Sequence, residues 1–114
     1  FIDTGSNGLY FDTSTLTACT LSSQMYGFYC PSSTTELSAT LSGKNAVSAN
    51  VSFSVSNAQT LVIGTDLTAL PSLAGQMGSR TVFDWGLPFF YGRSVFFGFD
   101  QKSSPLGIGP LIAF

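Results

Sequence analysis

Residues 1–11, FIDTGSNGLYF, predict a strand, a turn and a second strand. Apolar residues flank a run of Asp, Gly, Ser and Asn, which are residues that turns prefer. Gly5 and Gly8 can adopt the positive φ angles that strain other residues. The stretch alone leaves two interpretations open, because Asp3 is either an ordinary turn residue or one carboxylate of a catalytic site.

The composition predicts an all-β domain. The chain has 114 residues, the size of one domain with a single core. It contains 11 Phe and many Ser and Thr, whereas charged residues make up only 9%, a balance that favours pleated strands over surface helices. We find no internal repeat and no domain boundary, so residues 1–114 are interpreted as a single lobe.

The charged residues exclude several classes of function. The net charge is −2 and the four basic residues are scattered, so a nucleic-acid or anionic-membrane partner is not expected. Histidine is absent, which excludes Ser-His and Cys-His nucleophile pairs and His-containing zinc sites within the chain. We expect no cofactor and no metal. The groups left for acid–base chemistry are the carboxyls of Asp3, Asp12, Glu36, Asp66, Asp84 and Asp100.

Cys19 and Cys30 are predicted to form a disulfide. Two cysteines cannot close a structural zinc site, and they lie in a polar segment over residues 12–33 that we interpret as a long loop. A disulfide would indicate an oxidising, extracytoplasmic compartment. The alternative is a reduced, buried pair in a cytosolic protein.

The remaining pattern predicts further strands and one or two short helices. Residues 47–55, VSANVSFSV, alternate strictly, which predicts a strand with Val47, Ala49, Val51, Phe53 and Val55 on its buried face. Residues 60–67, TLVIGTDL, predict a more buried strand that ends at Gly64. Residues 70–80 predict a loop with a helical turn near Leu73. No apolar run approaches the roughly 18 residues of a membrane-spanning helix.

The aromatic tail predicts a helix followed by strands. Residues 85–93, WGLPFFYGR, have proline near the start and glycine at the end, as a short helix does. Residues 94–100 predict a strand, residues 101–109 a turn, and residues 110–114 a closing strand. The aromatic side chains of this tail either pack in the core, the interpretation we favour, or line an apolar cleft: Phe89, Phe90, Tyr91, Phe96, Phe97 and Phe99.

Two features of the chain resemble pepsin-like aspartic proteases. FIDTGSNGLYF resembles their hydrophobic-hydrophobic-Asp-Thr-Gly-Ser motif, and DWGLPFFYGRSVFFGFDQ followed by GPLIAF is similar to the end of a pepsin lobe. The D-[ST]-G-S-N-G opening, the GFYCP segment, the Ser-rich strand and the FDWGLPFFYGR block are together similar to the second half of a bacterial family of extracytoplasmic proteins, domain of unknown function 3443.

The resemblance implies a pepsin-like lobe, a closed or folded β-barrel or sheet, that forms the C-terminal half of a two-lobed protein. Asp3 would supply one of two catalytic carboxylates for peptide hydrolysis. Thr4 would bond across to the partner lobe, Gly5 would permit the tight turn, and Ser6 would hydrogen-bond Asp3. The second carboxylate would come from an N-terminal lobe or from a second copy of the chain. The alternative is a non-catalytic cell-envelope module that keeps the fold as a scaffold.

The other aspartates are interpreted structurally. Asp84 lies near the position where the family's glycine-bearing strand passes behind the catalytic loop. Because it precedes the predicted helix, we favour a role as an N-terminal cap or dipole partner over catalysis. Asp12, Asp66 and Asp100 are interpreted as turn or surface residues.

Overall fold

The regular structure of the protein is mostly β. The computed structural model describes residues 1–44 and 46–114. The strands are β1 (Leu9–Phe11), β2 (Thr35–Ser42), β3 (Ser48–Val55), β4 (Ala74–Gly75), β5 (Phe83–Trp85), β6 (Phe96–Gly98), β7 (Ser103–Ser104), β8 (Gly107–Ile108) and β9 (Leu111–Ala113), with the helix α1 (Ala58–Val62) and a 3₁₀ helix (Leu87–Phe90). This confirms an all-β class with short helices.

The central sheet has three strands in the order β4-β1-β5. β1 pairs parallel with β4 and antiparallel with β5, and Leu9 lies opposite Trp85 while Tyr10 lies opposite Asp84. Side chains alternate between the two faces of a strand. Leu9 and Trp85 therefore face the apolar core, and Tyr10 and Asp84 share the opposite face.

The remaining strands pair as three separate two-stranded sheets, β2-β3, β6-β9 and β7-β8. The sequence predicts a closed or folded β-barrel or sheet. The described residues form no closed barrel, so that part of the prediction is wrong. The strand β2 was not predicted, although the alternation of Leu37, Ala39 and Leu41 with polar residues marks it.

The core is built from aromatic rings. The Phe83 ring stacks on Phe11 and on Trp85, with centroids 4.7 and 4.2 Å apart. Phe53 presents its edge to all three of these rings at 5.6 to 5.7 Å. Phe89 meets Trp85 edge-on at 5.4 Å. Such offset and edge-on contacts are the favoured geometries of aromatic pairs, so the 3₁₀ helix and the strand β3 are fixed against the central sheet.

The predicted strand over residues 60–67 is wrong. Residues Ala58–Val62 form α1, because the Asn57 side chain accepts hydrogen bonds from the amides of Gln59 and Thr60 and so caps the helix. Ala58 is fully buried, whereas Ile63 is largely exposed. The short strand β4 also interrupts the loop predicted over residues 70–80, directly after a hydrogen-bonded turn from Leu70 to Leu73.

The strand predicted over residues 47–55 is present, but its buried face is shorter than expected. Val51 and Val55 are buried and Phe53 is partly buried, while Val47 and Ala49 are exposed. The outer end of the β2-β3 hairpin extends past the core. The alternation therefore indicated the strand correctly but not how far the core reaches along it.

The aromatic tail has the predicted helix and strands, but only part of it enters the core. Phe89 is buried and Phe90 packs against the core. The core interpretation is wrong for Tyr91, Phe96, Phe97 and Phe99, whose exposed fractions run from 42% to 79%. These residues lie in or beside a two-stranded sheet in which β6 pairs only with β9, and that sheet is not hydrogen-bonded to the central one.

The predicted disulfide between Cys19 and Cys30 is present, and its Cα atoms lie 4.8 Å apart. It closes the irregular segment 12–33, in which Ala18 and Tyr29 form an isolated bridge. Such a bond is typical of an oxidising environment.

Candidate functional site

The turn that carries Asp3 is held against the strand β5. The Asp3 amide donates to the Trp85 carbonyl at 3.0 Å, and the Trp85 amide donates to the Phe1 carbonyl at 2.9 Å. Ile2 thereby forms a parallel bridge with Trp85. These backbone bonds set the position of the Cα atom of Asp3 independently of its side chain.

Two groups of the same turn orient the Asp3 carboxylate. The Gly5 amide donates to Oδ1 at 2.7 Å and the Ser6 hydroxyl lies 3.1 Å from Oδ2. Asp3 is only partly buried, so its carboxylate is oriented and still accessible to solvent. The resemblance implies these supporting roles for Gly5 and Ser6, and both residues contact the Asp3 carboxylate in the structure.

Thr4 lies at the outer surface of the turn. Its side chain is exposed and makes no hydrogen bond to the residues that the structure describes. Thr4 therefore does not orient Asp3 within this chain. The Thr4 hydroxyl is therefore available to hydrogen-bond a group outside this chain.

Gly86 passes directly behind the turn. A Cβ atom at this position would lie 2.2 Å from the Gly8 carbonyl oxygen and 2.6 Å from the Ser6 carbonyl oxygen. The next amide, that of Leu87, donates to the same Ser6 carbonyl at 2.8 Å. The close approach requires glycine, since any side chain would collide with backbone atoms.

Asp84 joins the site through Ser6. The Ser6 hydroxyl lies 2.5 Å from Oδ2 of Asp84, and Asp84 is only 4% exposed. The predicted role as a helix cap is wrong, because Gly86 occupies the cap of the 3₁₀ helix and no side chain bonds to that cap. Asp84 points to the opposite face of β5 from the aromatic core and reaches the Asp3 turn instead.

Tyr10 and Asn7 border the site, and sequence reasoning missed both. The Tyr10 hydroxyl donates to Oδ1 of Asn7 at 2.5 Å, and the Asn7 side-chain nitrogen Nδ2 donates to the Thr68 carbonyl at 2.6 Å. Burial raises the pKa of Tyr10 and the neighbouring Asp84 raises it further. The sequence feature that could have identified Tyr10 is the alternation of side chains along β1, which places Tyr10 on the face opposite Leu9.

No hydrogen bond joins the other candidate acids to Asp3 among the described residues. Asp12 accepts hydrogen bonds from the amides of Met77 and Gly78 at 2.9 and 3.1 Å, as a turn carboxylate does. Asp66 and Asp100 are exposed. Over residues 1–44 and 46–114 no three His, Cys, Asp or Glu side chains are grouped so that they could hold a metal ion. No described helix is long and apolar enough to cross a membrane.

A shallow cleft of about 170 Å³ lies on the core side of the sheet. Trp85, Phe89 and the end of β3 line it, and the Arg93 guanidinium sits 4.7 Å from the centre of the Phe89 ring. Neither Asp3 nor Ser6 borders this cleft. It is therefore separate from the carboxylate site.

The arrangement presents one oriented, accessible carboxylate backed by a buried one. The family model of the protein of unknown function DUF3443 matches residues 1–114, in agreement with the resemblance noted in the sequence. Neither the curated proteins nor the solved structures contain a match to the chain.

Proposed function

The chain belongs to the DUF3443 family, and we propose that it is an aspartic-peptidase-like lobe in which Asp3 provides one of two catalytic carboxylates. The observation that carries the proposal is the orientation of Asp3. Its two carboxylate oxygens are contacted by the Gly5 amide and the Ser6 hydroxyl, at 2.7 and 3.1 Å, while the side chain stays open to solvent.

The chemistry requires a second carboxyl near Asp3. Two carboxyls held close together do not ionise together easily, so one keeps its proton while the other is ionised. The ionised group takes a proton from a water molecule as the water oxygen attacks the peptide carbonyl carbon. The protonated group donates to the carbonyl oxygen, and collapse of the tetrahedral intermediate releases the amine after it is protonated.

The second carboxyl comes from outside this chain in our proposal. Asp84 is the acid nearest to Asp3 through Ser6, but at 4% exposure it cannot touch a substrate. The partner is an N-terminal lobe of the same protein or a second copy of the chain. The exposed Thr4 hydroxyl is suited to bond across such an interface.

We place the protein outside the cytoplasm. The Cys19–Cys30 disulfide is the supporting observation, since disulfides persist in oxidising compartments. A peptide substrate is consistent with that location.

The second candidate is a non-catalytic cell-envelope module. The observation in its favour is that the described part of the chain has a single accessible carboxylate at this site. A protein without a second such carboxylate would keep the fold as a binding or structural scaffold.

Peptide cleavage by the full-length protein tests the proposal. An unstructured peptide library is incubated with the wild type and with Asp3→Asn between about pH 3 and 7. We expect Asp3→Asn to lower kcat at least about 1,000-fold, because the amide can neither accept nor hold the transferred proton.

The matched control is Asp12→Asn, which changes a carboxylate of another turn and keeps an acceptor for Met77 and Gly78. It should leave cleavage within about twofold of the wild type, as surface changes outside a site do. Cleavage that persists after Asp3→Asn would disprove the role of Asp3. A wild type that cleaves nothing at any pH would favour the scaffold.

A further inference from the structure

Asp84 is a buried acid without the partners that a buried charge needs. It is 4% exposed, and its Oδ1 atom has no hydrogen-bond partner among the described residues. None of the described Lys or Arg side chains forms an ion pair with it. The Ser6 hydroxyl is the one hydrogen-bond donor to Asp84 among the described residues, and a single donor compensates a buried carboxylate poorly for its desolvation.

The neighbours of Asp84 do not supply that compensation. Tyr10 faces it from β1, and the Tyr10 hydroxyl donates its proton to Asn7. The other titratable group is Asp3, which reaches Asp84 only through Ser6. Both neighbours are acids, and neither brings a positive charge.

The hydroxyl of Ser6 has one proton for two carboxyls. It lies 2.5 Å from Oδ2 of Asp84 and 3.1 Å from Oδ2 of Asp3. A serine hydroxyl donates one hydrogen bond and accepts others. Both contacts are hydrogen bonds only if one of the carboxyls carries a proton and donates it to the Ser6 oxygen.

Burial decides which carboxyl that is. Asp3 is partly open to solvent and also accepts the Gly5 amide, which stabilises a carboxylate. Asp84 is 4% exposed, accepts no backbone amide and has an Oδ1 atom without a partner among the described residues, so we assign to Asp84 the carboxyl that donates to Ser6.

We propose that Asp84 is a positioning residue for Asp3. Protonated Asp84 donates to Ser6, and Ser6 in turn donates to Asp3. The protons of the Asp84 carboxyl and of the Ser6 hydroxyl are then both used in hydrogen bonds. The Asp3 carboxylate is kept ionised and oriented. Building on the proposed peptidase function, this assigns Asp3 as the ionised member of the pair that activates water, and the partner's carboxyl as the proton donor.

Carbon-13 NMR of the full-length protein, labelled at the aspartate side-chain carboxyls, tests the proton directly. The signals of Asp3 and Asp84 are assigned by their loss in Asp3→Asn and Asp84→Asn, and the exposed Asp66 and Asp100 serve as references. We expect Asp84 to remain at the position of the acid form near neutral pH, while Asp3 is at the position of the carboxylate. An Asp84 signal that moves to the ionised position together with the references would overturn the proposal.

Ser6→Ala tests the connection between the two acids. Without the hydroxyl, the titration curve of Asp3 should shift measurably from that of the wild type, because Asp3 loses a donor. An unchanged Asp3 curve in a folded Ser6→Ala protein would contradict the relay through Ser6. These NMR results do not depend on catalysis, so a failure of the peptidase assignment would be seen separately, as absent or Asp3-independent cleavage.

Replacement of Asp84 gives a second readout in the active protein. Asp84→Ala should lower kcat about tenfold or more, and Asp84→Asn, which keeps a donor to Ser6, should restore part of that loss. A loss in Asp84→Asn as large as that in Asp84→Ala would show that Ser6 needs an ionised partner, and would overturn the assignment.

Discussion

At the scale of single residues, Gly86 limits what the aspartate turn tolerates. We predict that Gly86→Ala lowers the free energy of unfolding by about 3 kcal/mol or prevents folding, since the added Cβ would meet two backbone carbonyls at 2.2 and 2.6 Å. Urea denaturation followed by tryptophan fluorescence measures the change.

Gly98→Ala is the matched control for that prediction. Its added Cβ would also be close to a neighbour, at 2.6 Å, but the neighbour is the side chain of Leu111, which can move. We expect a loss at least about 1 kcal/mol smaller than for Gly86→Ala. Equal losses at the two positions would show that the turn gives way easily and that the close approach of Gly86 is not what fixes it.

Two tyrosines make the stability depend on alkaline pH. Burial raises the pKa of Tyr10 and of Tyr29 above the ordinary value of 10.0, and for Tyr29 the hydrogen bond from the Thr13 amide opposes part of that rise. An acid whose pKa is higher in the folded state than in the unfolded state stabilises the fold. This contribution is fully present at pH values below the unfolded-state pKa. That contribution is lost as the pH rises through the folded pKa.

We therefore predict that the midpoint of urea denaturation does not change between about pH 8 and 9 on account of these tyrosines, and falls as the pH passes above about 10. In Tyr10→Phe the fall should be smaller, because one of the two groups no longer titrates. Identical alkaline profiles for Tyr10→Phe and the wild type would exclude a contribution from Tyr10. Tyr29 is less suitable for replacement, since its hydroxyl donates to the Phe11 carbonyl at 2.6 Å.

At the scale of elements, the disulfide holds the least regular part of the chain. The bond joins residues separated by 11 positions, and closing a loop of that length stabilises a protein by about 3 kcal/mol in the chain-entropy picture. We predict a loss of about that size in the Cys19→Ser/Cys30→Ser double variant, measured by urea denaturation. Reduction of the wild type with a thiol should give the same loss. A loss in only one of the two experiments would indicate an effect of the serines or of the reductant.

The elements also show what local sequence could predict. The 3₁₀ helix was indicated by Pro88 and Gly92, and the strand β3 by its strict alternation, because both signals act between neighbouring residues. The helix α1 was mistaken for a strand because its apolar run, Leu61 to Ile63, has no clear period. The Asn57 cap decided the structure there. Strand burial was overestimated because the reach of the core depends on which distant elements pack together.

At the scale of the molecule, the chain exposes more surface than its mass accounts for. Its accessible area is 7334 Å², against about 6,000 Å² for a compact monomer of 12.0 kDa. Its radius of gyration is 15.6 Å, against about 13 Å for a compact domain of this length. The excess of about 1,300 Å² exceeds the roughly 800 Å² that each partner buries in a standard interface.

We predict that the isolated chain of residues 1–114 dimerises or aggregates. The large apolar side chains at the exposed C-terminal sheets, among them Phe96, Phe97 and Ile112, would otherwise remain in water. Sedimentation velocity over a range of concentrations measures this. Phe97→Lys should shift the distribution toward the monomer, whereas Ser52→Lys, on the polar face of β3, should not. A well-folded wild-type monomer at all concentrations would contradict the prediction.

Only part of the candidate site could be predicted from the sequence, because the site combines residues that are far apart along the chain. Asp3, Gly5 and Ser6 are neighbours in sequence, so a local motif could bring them together by resemblance. Asp84 lies 78 positions from Ser6, and its role depends on the pairing of β1 with β5. No short stretch of sequence contains that information.

The contact between the first turn and residues 84–87 also determines when the site can exist. The Asp3 amide donates its hydrogen bond to the Trp85 carbonyl, and the Ser6 carbonyl accepts one from the Leu87 amide. Neither bond can form before residues 85–87 are present. A chain emerging from the ribosome exposes Asp3 before these partners, and long-range pairings of this kind form late. The nascent chain therefore carries the aspartate motif without its supporting strand until residues 84–87 have been made.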